Sequence, residues 1–456
     1  MSEDGIEVPA LLSPRGKALI LASALLIALG FISPQHSMFL SLFITGLSLT
    51  LLIIIMRYII QIKAKALSSI RVERKIKGSF IEGDLHTMTL IFYNPSLIPI
   101  YGVEFIDNPP KTFKVVEGST SGLLILPPRG TSRHEYKFKP FIGKHSFNRL
   151  KVILRDPLSL FFVETYVGEP VEYKFKPKVI PLKEKRLLSA MITAPFGTSK
   201  ARIKGIGQEF ADVRDYVPGD DFRHLEWKAT ARTGRLKVKE YELEAHLRAI
   251  FILDATKTMY YGVIGNTKLE FSARAIATIA KLLLDRGDYV GLTIYMGGDR
   301  YKIVPLGHGR IHVYRILDAL ADIEPYSEDK SQFPKVIAKS MVRGTSWGYN
   351  LVLLITDLEP YDEKLYNSIV DVAIKAKELR NTICIISPYS PLFELETLNG
   401  FSKVLQRIHV AKSWETREAS LKIFTSRGIP VINVGPQDII EIILKKIEAL
   451  RFHAPL

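Results

Sequence analysis

The residues best equipped for chemistry in this 456-residue chain fall in two places. The first is Asp254-Ala255-Thr256-Lys257-Thr258, a carboxylate followed by hydroxyls at alternate positions, with a second carboxylate, Asp357, further along. Hard oxygen donors of this kind suit Mg²⁺, which is held by one or two carboxylates and keeps several waters. A second carboxylate across from the first can orient a metal-bound water. The candidate metal ligands are therefore Asp254, Thr256, Thr258 and Asp357, with Ser331 as a further hydroxyl from the intervening loop. Asp and Thr at strand ends also cap helices and satisfy backbone donors, so the spacing alone leaves a structural reading open.

The second place is Gly205 to Glu244, where charges of both signs crowd around Trp227. Pro218-Gly219 signals a turn, and Asp220 or Asp221 can cap a helix expected over Phe222–Ala231, with a strand over Leu236–Leu243 after it. Single exposed ion pairs contribute little, and a plain surface network is one reading. The other is a latch onto a neighbouring domain or a partner, through Arg214, Asp215, Asp220, Asp221, Arg223, Trp227 and Arg232, since Arg can grip carboxylates bidentately. No nucleophile stands beside a base here, and Gly205-x-Gly207 is too short for a phosphate-binding loop.

What must position these residues is legible in outline. From residue 245 onward, short apolar strands alternate with amphipathic helices: strands at Ala249–Leu253, Tyr289–Tyr295, Tyr301–Val304, Leu351–Thr356, Thr382–Ile386 and Val431–Val434. Helices are expected at Leu269–Leu284, Ile311–Leu320, Glu363–Leu379, Glu415–Ser426 and Ile439–Leu450. Uniformly apolar strands between helices imply a mostly parallel sheet covered on both faces, and ligands bind such sheets at the carboxyl ends of strands. Asp254 and Asp357 leave two such ends. Cys384, the only cysteine, falls in an apolar run and reads as a buried strand residue.

Before this half, residues 69–180 break into short runs rich in β-branched and aromatic residues, such as Met88–Tyr93, Gly102–Ile106, Ser132–Phe138 and Leu150–Leu154, separated by turn signals. That pattern predicts an antiparallel β-sandwich, Ig-like in kind. Arg155-Asp156-Pro157 should turn the chain and plug Phe161 and Phe162 into its core; His86, His134 and His145 belong to it without metal spacing. Residues 181–204 read as a basic linker, with 205–244 and 245–456 following as separate segments.

At the start, Ala18–Ser33 and Met38–Met56 are apolar runs without a charge. The second is about 28 Å long as a helix, enough to cross a bilayer. Residues 1–17 precede the hairpin of 18–56, and a basic juxtamembrane segment occupies 57–68. Lys and Arg flank the hairpin at Arg15, Lys17, Arg57, Lys63, Lys65, Arg71, Arg74, Lys75 and Lys77 but are absent from its connection, which predicts a two-helix cell-membrane protein with N-terminus and C-terminal domains cytoplasmic. The same cluster can face anionic lipid heads. The net charge of +15 is spread along the chain with no nucleic-acid module signature, so a membrane is expected and nucleic acid is not.

Gln208-Glu209-Phe210, Arg214-Asp215-Tyr216, Pro218-Gly219-Asp220-Asp221, Arg223, Trp227 through Thr233 and Val238-Lys239-Glu240-Tyr241 closely resemble the signature of the domain-of-unknown-function family fifty-eight. Asp254-x-Thr256-x-Thr258 with Asp357 looks like the metal-ion-dependent adhesion site of von Willebrand factor A domains, with Thr at both hydroxyl positions and no identifiable intervening Thr. The resemblance implies a multidomain protein: two transmembrane helices, a β-sandwich and a C-terminal α/β von Willebrand factor A-like domain of Rossmann type. It implies further a membrane-anchored partner of a cytoplasmic MoxR-type AAA+ ATPase, active in chaperone-like maturation or assembly of a client protein. On that expectation the chain is a non-catalytic interaction protein that binds a partner through Mg²⁺ at Asp254, Thr256, Thr258 and Asp357. A membrane-bound metal-dependent hydrolase and a surface adhesion protein are the alternatives. The first lacks a nucleophile elbow, zinc spacing or an acid and base pair; the second conflicts with the charge-set topology.

Overall fold

The computed structural model describes the chain from residue 9, apart from 34–35, 111–112, 182–203, 206–208, 219, 243–245, 261–264, 266, 325–326, 343–349, 360, 380, 390–416, 437 and 453–456. Most of the linker expected over 181–204, and Gly207 and Gly219 of the signature, lie outside the described residues. The chain forms two compact units, Met1–Phe175 and Lys176–Leu456.

In the first unit a short strand, β1 (Leu11–Leu12), precedes α1 (Pro14–Ile32) and α2 (His36–Ser68). Ser13 caps α1 by accepting from Gly16 N, and Pro14 stands in the first turn, where its missing N–H is not needed. Both helices are long and apolar enough to cross a membrane. Leu21, Leu25, Phe31, Ile32, Leu51 and Ile54 are exposed along them. The two helices approach closely at Gly46, where an added Cβ would meet Ile27 Cγ1 at 2.6 Å and Ser23 O at 3.0 Å.

The segment 57–68, read from the sequence as separate from the second span, is its unbroken continuation to Ser68. The last turns of α2 bury Ile60, Ala64 and Leu67 in the same core as the strands that follow. Apolar contact, which a count of basic residues does not register, sets the conformation there.

The strands that follow are β2 (Arg71–Lys77), β3 (His86–Tyr93), β4 (Ile100–Ile106), β5 (Lys114–Glu117), β6 (Ser121–Leu126), β7 (Thr131–Lys139), β8 (Gly143–Phe147), β9 (Leu150–Arg155), β10 (Phe161–Val167) and β11 (Val171–Phe175). They pair antiparallel in sheets ordered β2-β3-β7-β5, β1-β10-β9-β4-β6 and β11-β8. Alternating side chains, among them Met88, Leu90 and Phe92 of β3 and Val103 and Phe105 of β4, meet in one core. Two sequence readings need correction. Arg74 does not face lipid heads: it is buried, with Nη2 donating to Asp107 Oδ1 at 2.9 Å and to Asn148 O at 2.6 Å, while Tyr136 donates to Asp107 Oδ2 at 2.8 Å. Of the aromatic pair, Phe161 is buried but Phe162 is only partly so and lies under the Arg155 guanidinium. Asp156 makes the predicted turn by accepting from Leu158 N and Phe161 N.

The second unit begins earlier than residue 180: Lys176 pairs with Asp318 at 2.7 Å and Ile180 N donates to Thr278 Oγ1 at 3.0 Å. A small antiparallel sheet, ordered β12-β14-β13, is made by β12 (Lys204–Gly205), β13 (Glu209–Asp215) and β14 (Lys237–Glu242). Between β13 and β14 come a 3₁₀ turn at Phe222–His224 and α3 (Trp227–Thr233).

The larger sheet contains β15 (Arg248–Asp254), β16 (Tyr289–Gly297), β17 (Arg300–Gly307), β18 (Leu351–Ile355), β19 (Thr382–Pro388) and β20 (Val431–Val434), in the order β17-β16-β15-β18-β19-β20. All neighbours run parallel except β17, which is antiparallel to β16. The helices between them are α4 (Lys268–Asp285), α5 (Arg310–Ala321), α6 (Phe333–Val342), α7 (Glu363–Glu378), α8 (417–425) and α9 (Ile439–Phe452). Helix α6 was not expected from the sequence. Residues of β15, β18 and β19 are buried on both faces, which explains their uninterrupted apolar runs. The chain builds outward from β15 first through β16 and then, returning, through β18. The strand order therefore reverses between β15 and β18, and the crevice at their carboxyl ends is where such a sheet offers a site.

Candidate functional site

Asp254, at the end of β15, and Asp357, just past β18, meet at that crevice, and both are fully buried. Asp254 Oδ1 accepts from Thr256 N at 3.0 Å and from Thr256 Oγ1 at 2.7 Å. Its Oδ2 accepts from Thr356 Oγ1 at 2.7 Å and pairs with Lys330 Nζ at 2.8 Å. Asp357 Oδ1 accepts from Lys330 Nζ at 2.6 Å and Glu359 N at 3.2 Å, and its Oδ2 from Lys268 Nζ at 2.8 Å. Lys330 Nζ also donates to Glu359 O at 2.9 Å, so all three of its N–H groups have acceptors. Lys268 Nζ reaches Glu359 Oε2 at 3.1 Å. Behind them Arg417 of α8 donates to Asp357 O, to Ser387 Oγ at 2.5 Å and to Asn433 Oδ1 at 3.0 Å.

The four ligands read from the sequence are thus gathered, with Thr258 Oγ1 3.1 Å from Thr256 Oγ1. Ser331 does not join them: its hydroxyl donates to Asp329 Oδ2 at 3.0 Å on the exposed loop, and its neighbour Lys330 turns inward instead. Where a further hydroxyl was expected, the chain supplies an ammonium. Burial by itself pushes the Lys330 pKa down, but the Asp254 and Asp357 carboxylates outweigh it and hold the group well above its ordinary value. Burial likewise pushes Asp357 up, and Lys330 and Lys268 reverse that, leaving it well below the usual carboxylate range.

Lys268 and Lys330 were missed in the sequence, yet Lys268 carried a signal. It is the first residue of α4, directly after the Thr267 N-cap, whose capping box with Glu270 fixes the helix start. A cation there opposes the positive end of the helix dipole, and it is fully buried as well. A residue that breaks local rules in two ways needs a compensating partner elsewhere, which here is Asp357 with Glu359. Leu358 between these acids has φ of 53°, a left-handed conformation rare for a non-glycine residue, and this turn brings Glu359 N back onto Asp357.

The donor set does not fit Mg²⁺. A magnesium ion requires near-octahedral oxygens at about 2.0–2.1 Å with waters retained, whereas every carboxylate oxygen of Asp254 and Asp357 is already engaged. Lys330 Nζ takes the bridging position between the two carboxylates. A dication alongside it would meet like-charge repulsion on the order of 8 kcal/mol at 4 Å and an effective dielectric of 20. Among the described residues no group of three or more His, Cys, Asp or Glu side chains is placed to hold a metal.

The signature forms a compact module of its own. Arg214 grips Asp220 with two hydrogen bonds of 2.6 Å, and this pairing, with a bond from Val217 N, pulls the Asp220 pKa down to about 2. Asp215 pairs with Lys237 at 2.8 Å and Glu226 with Lys239 at 2.7 Å. Asp221 caps the 3₁₀ turn by accepting from Arg223 N, with the Arg223 guanidinium 3.6 Å away. These named latch charges pair within the segment itself. The single helix expected over Phe222–Ala231 is split, because Leu225 turns extended, buries its side chain and bridges Val238. On the outside, Val217, Phe222 and Trp227 are 57%, 63% and 68% exposed, Tyr216 stacks on Phe222, and the side chains of Lys228 and Arg232 have no carboxylate partner among the described residues.

Comparison with known proteins covers the region holding both features. The chain is 30% identical over 119 residues to an uncharacterized protein of Mycobacterium tuberculosis strain H37Rv, covering 26% of this chain and 37% of that protein. It is 30% identical over 111 residues to the uncharacterized protein YeaD of Bacillus subtilis strain 168, covering 24% and 25% respectively. The alignment therefore spans little more than a third of these relatives' length at most. Among solved structures it is similar to the conserved hypothetical protein BatB of Bacteroides thetaiotaomicron, with a TM-score of 0.33, 16% identity, 45% of this chain and 98% of the other covered. It is also similar to a von Willebrand factor type A structure from Catenulispora acidiphila, with a TM-score of 0.30, 12% identity, 47% of this chain and 44% of the other covered. From Asp212 through Ser368, which takes in Arg214, Trp227, Asp254, Lys268, Lys330 and Asp357, the sequence matches the model of the family described as protein of unknown function DUF58.

Proposed function

We propose that this chain is a membrane-anchored, non-catalytic interaction protein whose signature module captures a soluble MoxR-type AAA+ ATPase on the cytoplasmic side. Together the two would act in chaperone-like maturation or assembly of a client protein. The observation that carries the reading is the outer surface of the module, where Phe222 and Trp227 stand in solvent beside Lys228 and Arg232 while the module's own Asp215, Asp220 and Glu226 are paired. Exposed Trp flanked by Arg is the composition of binding hot spots, and unpaired cations favour an acidic partner surface. The sequence resemblance supports the identity of the partner, and the Lys and Arg distribution around α1 and α2 supports the side of the membrane.

The test is affinity purification of the full chain from membranes with identification of co-purifying proteins. Wild type should retain an AAA+ ATPase. Trp227→Ala combined with Arg232→Glu should lower its capture by roughly thirtyfold or more, the effect of removing one hot spot of about 2 kcal/mol. Undiminished capture by the folded variant would remove the module from the contact.

A further inference from the structure

We infer that the ammonium groups of Lys268 and Lys330 do in this chain the structural work of a divalent cation, and that a latent cation site lies beneath them. The inference concerns the crest of the large sheet and holds whether or not the signature module binds an ATPase.

Two buried carboxylates brought together at a strand crossover repel one another, and both stay charged only with a cation between them. Asp254 and Asp357 are in that situation. Lys330 Nζ resolves it by contacting Asp254 Oδ2 at 2.8 Å and Asp357 Oδ1 at 2.6 Å, and Lys268 Nζ adds a second contact to Asp357 at 2.8 Å. The remaining donors are placed as they would be around an ion: Thr256 and Thr356 hydroxyls fix the Asp254 carboxylate, and Thr258 stands behind Thr256. Lys330 arrives from the loop between α5 and α6, and Lys268 from the first turn of α4. The covalently tethered cations therefore tie two other elements to the ends of β15 and β18. A bound ion would tie them equally well, but only when present.

Two consequences follow from the charge count. The crest is closed without metal, so neither chelation nor added Mg²⁺ should alter it. Removing the ammonium groups leaves two carboxylates and hydroxyls with only the Arg417 guanidinium, held on Asp357 O, as counter-charge, which is a donor set for a hard cation.

The experiment uses the full chain in detergent and two readouts, calorimetric titration with Mn²⁺ and Mg²⁺ and thermal unfolding in EDTA or in millimolar Mg²⁺. Wild type should show no saturable uptake and the same unfolding midpoint in both media. Lys330→Ala, and the double variant with Lys268→Ala, should take up Mn²⁺ saturably at concentrations at least about tenfold below the highest at which wild type shows none, the gain expected when like charge is removed from the site. Adding Asp254→Asn should abolish that uptake, and Lys330→Arg, which keeps the charge, should show none. Saturable uptake by wild type that Asp254→Asn abolishes would overturn the inference, as would a folded Lys330→Ala that gains no affinity. If Lys330→Ala unfolds in EDTA, recovery in Mg²⁺ supports the substitution of ion by ammonium, and failure to recover overturns it.

Discussion

At the scale of single residues, the crest makes a prediction about pH. Asp357 has a depressed folded pKa, so its contribution is present above the unfolded carboxylate value near 4 and is lost as pH falls toward the folded value. Lys330 has a raised folded pKa, so its contribution is complete below the unfolded ammonium value near 10.4 and is lost as pH rises through the folded one. The second unit should therefore have a stability plateau from roughly pH 5 to pH 10. Asp357→Asn leaves two buried ammonium groups short of their counter-charge and should destabilise the unit by about 3–5 kcal/mol at neutral pH, with a smaller loss at acid pH than wild type shows. Urea unfolding of both proteins across the pH range, followed by a probe in the second unit, checks the size and the direction. Not every titratable residue behaves so: Cys384 is buried in β19 and burial pushes its thiol up to about 11, as befits an inert core residue.

At the scale of elements, the module between β13 and β14 shows how a local conformation is fixed. Gly234 ends α3 with φ of 67°, and nothing lies within 4 Å of where its Cβ would be. Gly234→Ala should destabilise the module by about 1–2 kcal/mol through backbone strain alone, because no clash accompanies it. Chemical denaturation followed by Trp227 fluorescence in a Trp347→Phe, Trp414→Phe background checks this. The elements also show which parts of the fold sequence patterns carry. Val431–Val434 appears as a strand with those same ends, and β15, β18 and α7 lie within a residue or two of expectation; β15 and β18, buried on both faces, announce themselves by unbroken apolar runs, and α7 by its helical periodicity. The gathering of Asp254, Thr256, Thr258 and Asp357 was legible for the same reason, since strand ends can be placed once strands are. What local patterns do not carry is which long side chain turns inward: Lys330 and Ser331 are adjacent, and only the path of the loop decides between them. Leu225 illustrates the same limit, since its pairing with Val238 breaks a helix that spacing alone would continue.

At the scale of the whole molecule, the predicted topology has a direct test. Protease added to sealed, right-side-out vesicles should leave both units intact, and cleavage should begin only when the membrane is permeabilised. Cleavage of the second unit in intact vesicles would put it outside and favour an adhesion role. The membrane contribution of basic residues is narrower than the charge suggests, because Arg74 is held inside the first unit by Asp107. Arg57 and Lys65 of α2, by contrast, are exposed.

The continuity of α2 has a mechanical meaning. One helix of 33 residues runs from the apolar hairpin to the buried contacts of Ile60, Ala64 and Leu67, with no joint between. Each residue of such a rod sets both a rise of about 1.5 Å and a rotation of about 100°. The β-strands of the first unit are therefore keyed in phase to the exposed apolar side of α2, as a gear is keyed to its shaft. Inserting one residue after Arg57 would turn the strands through more than a quarter of a circle while barely changing their distance from the bilayer.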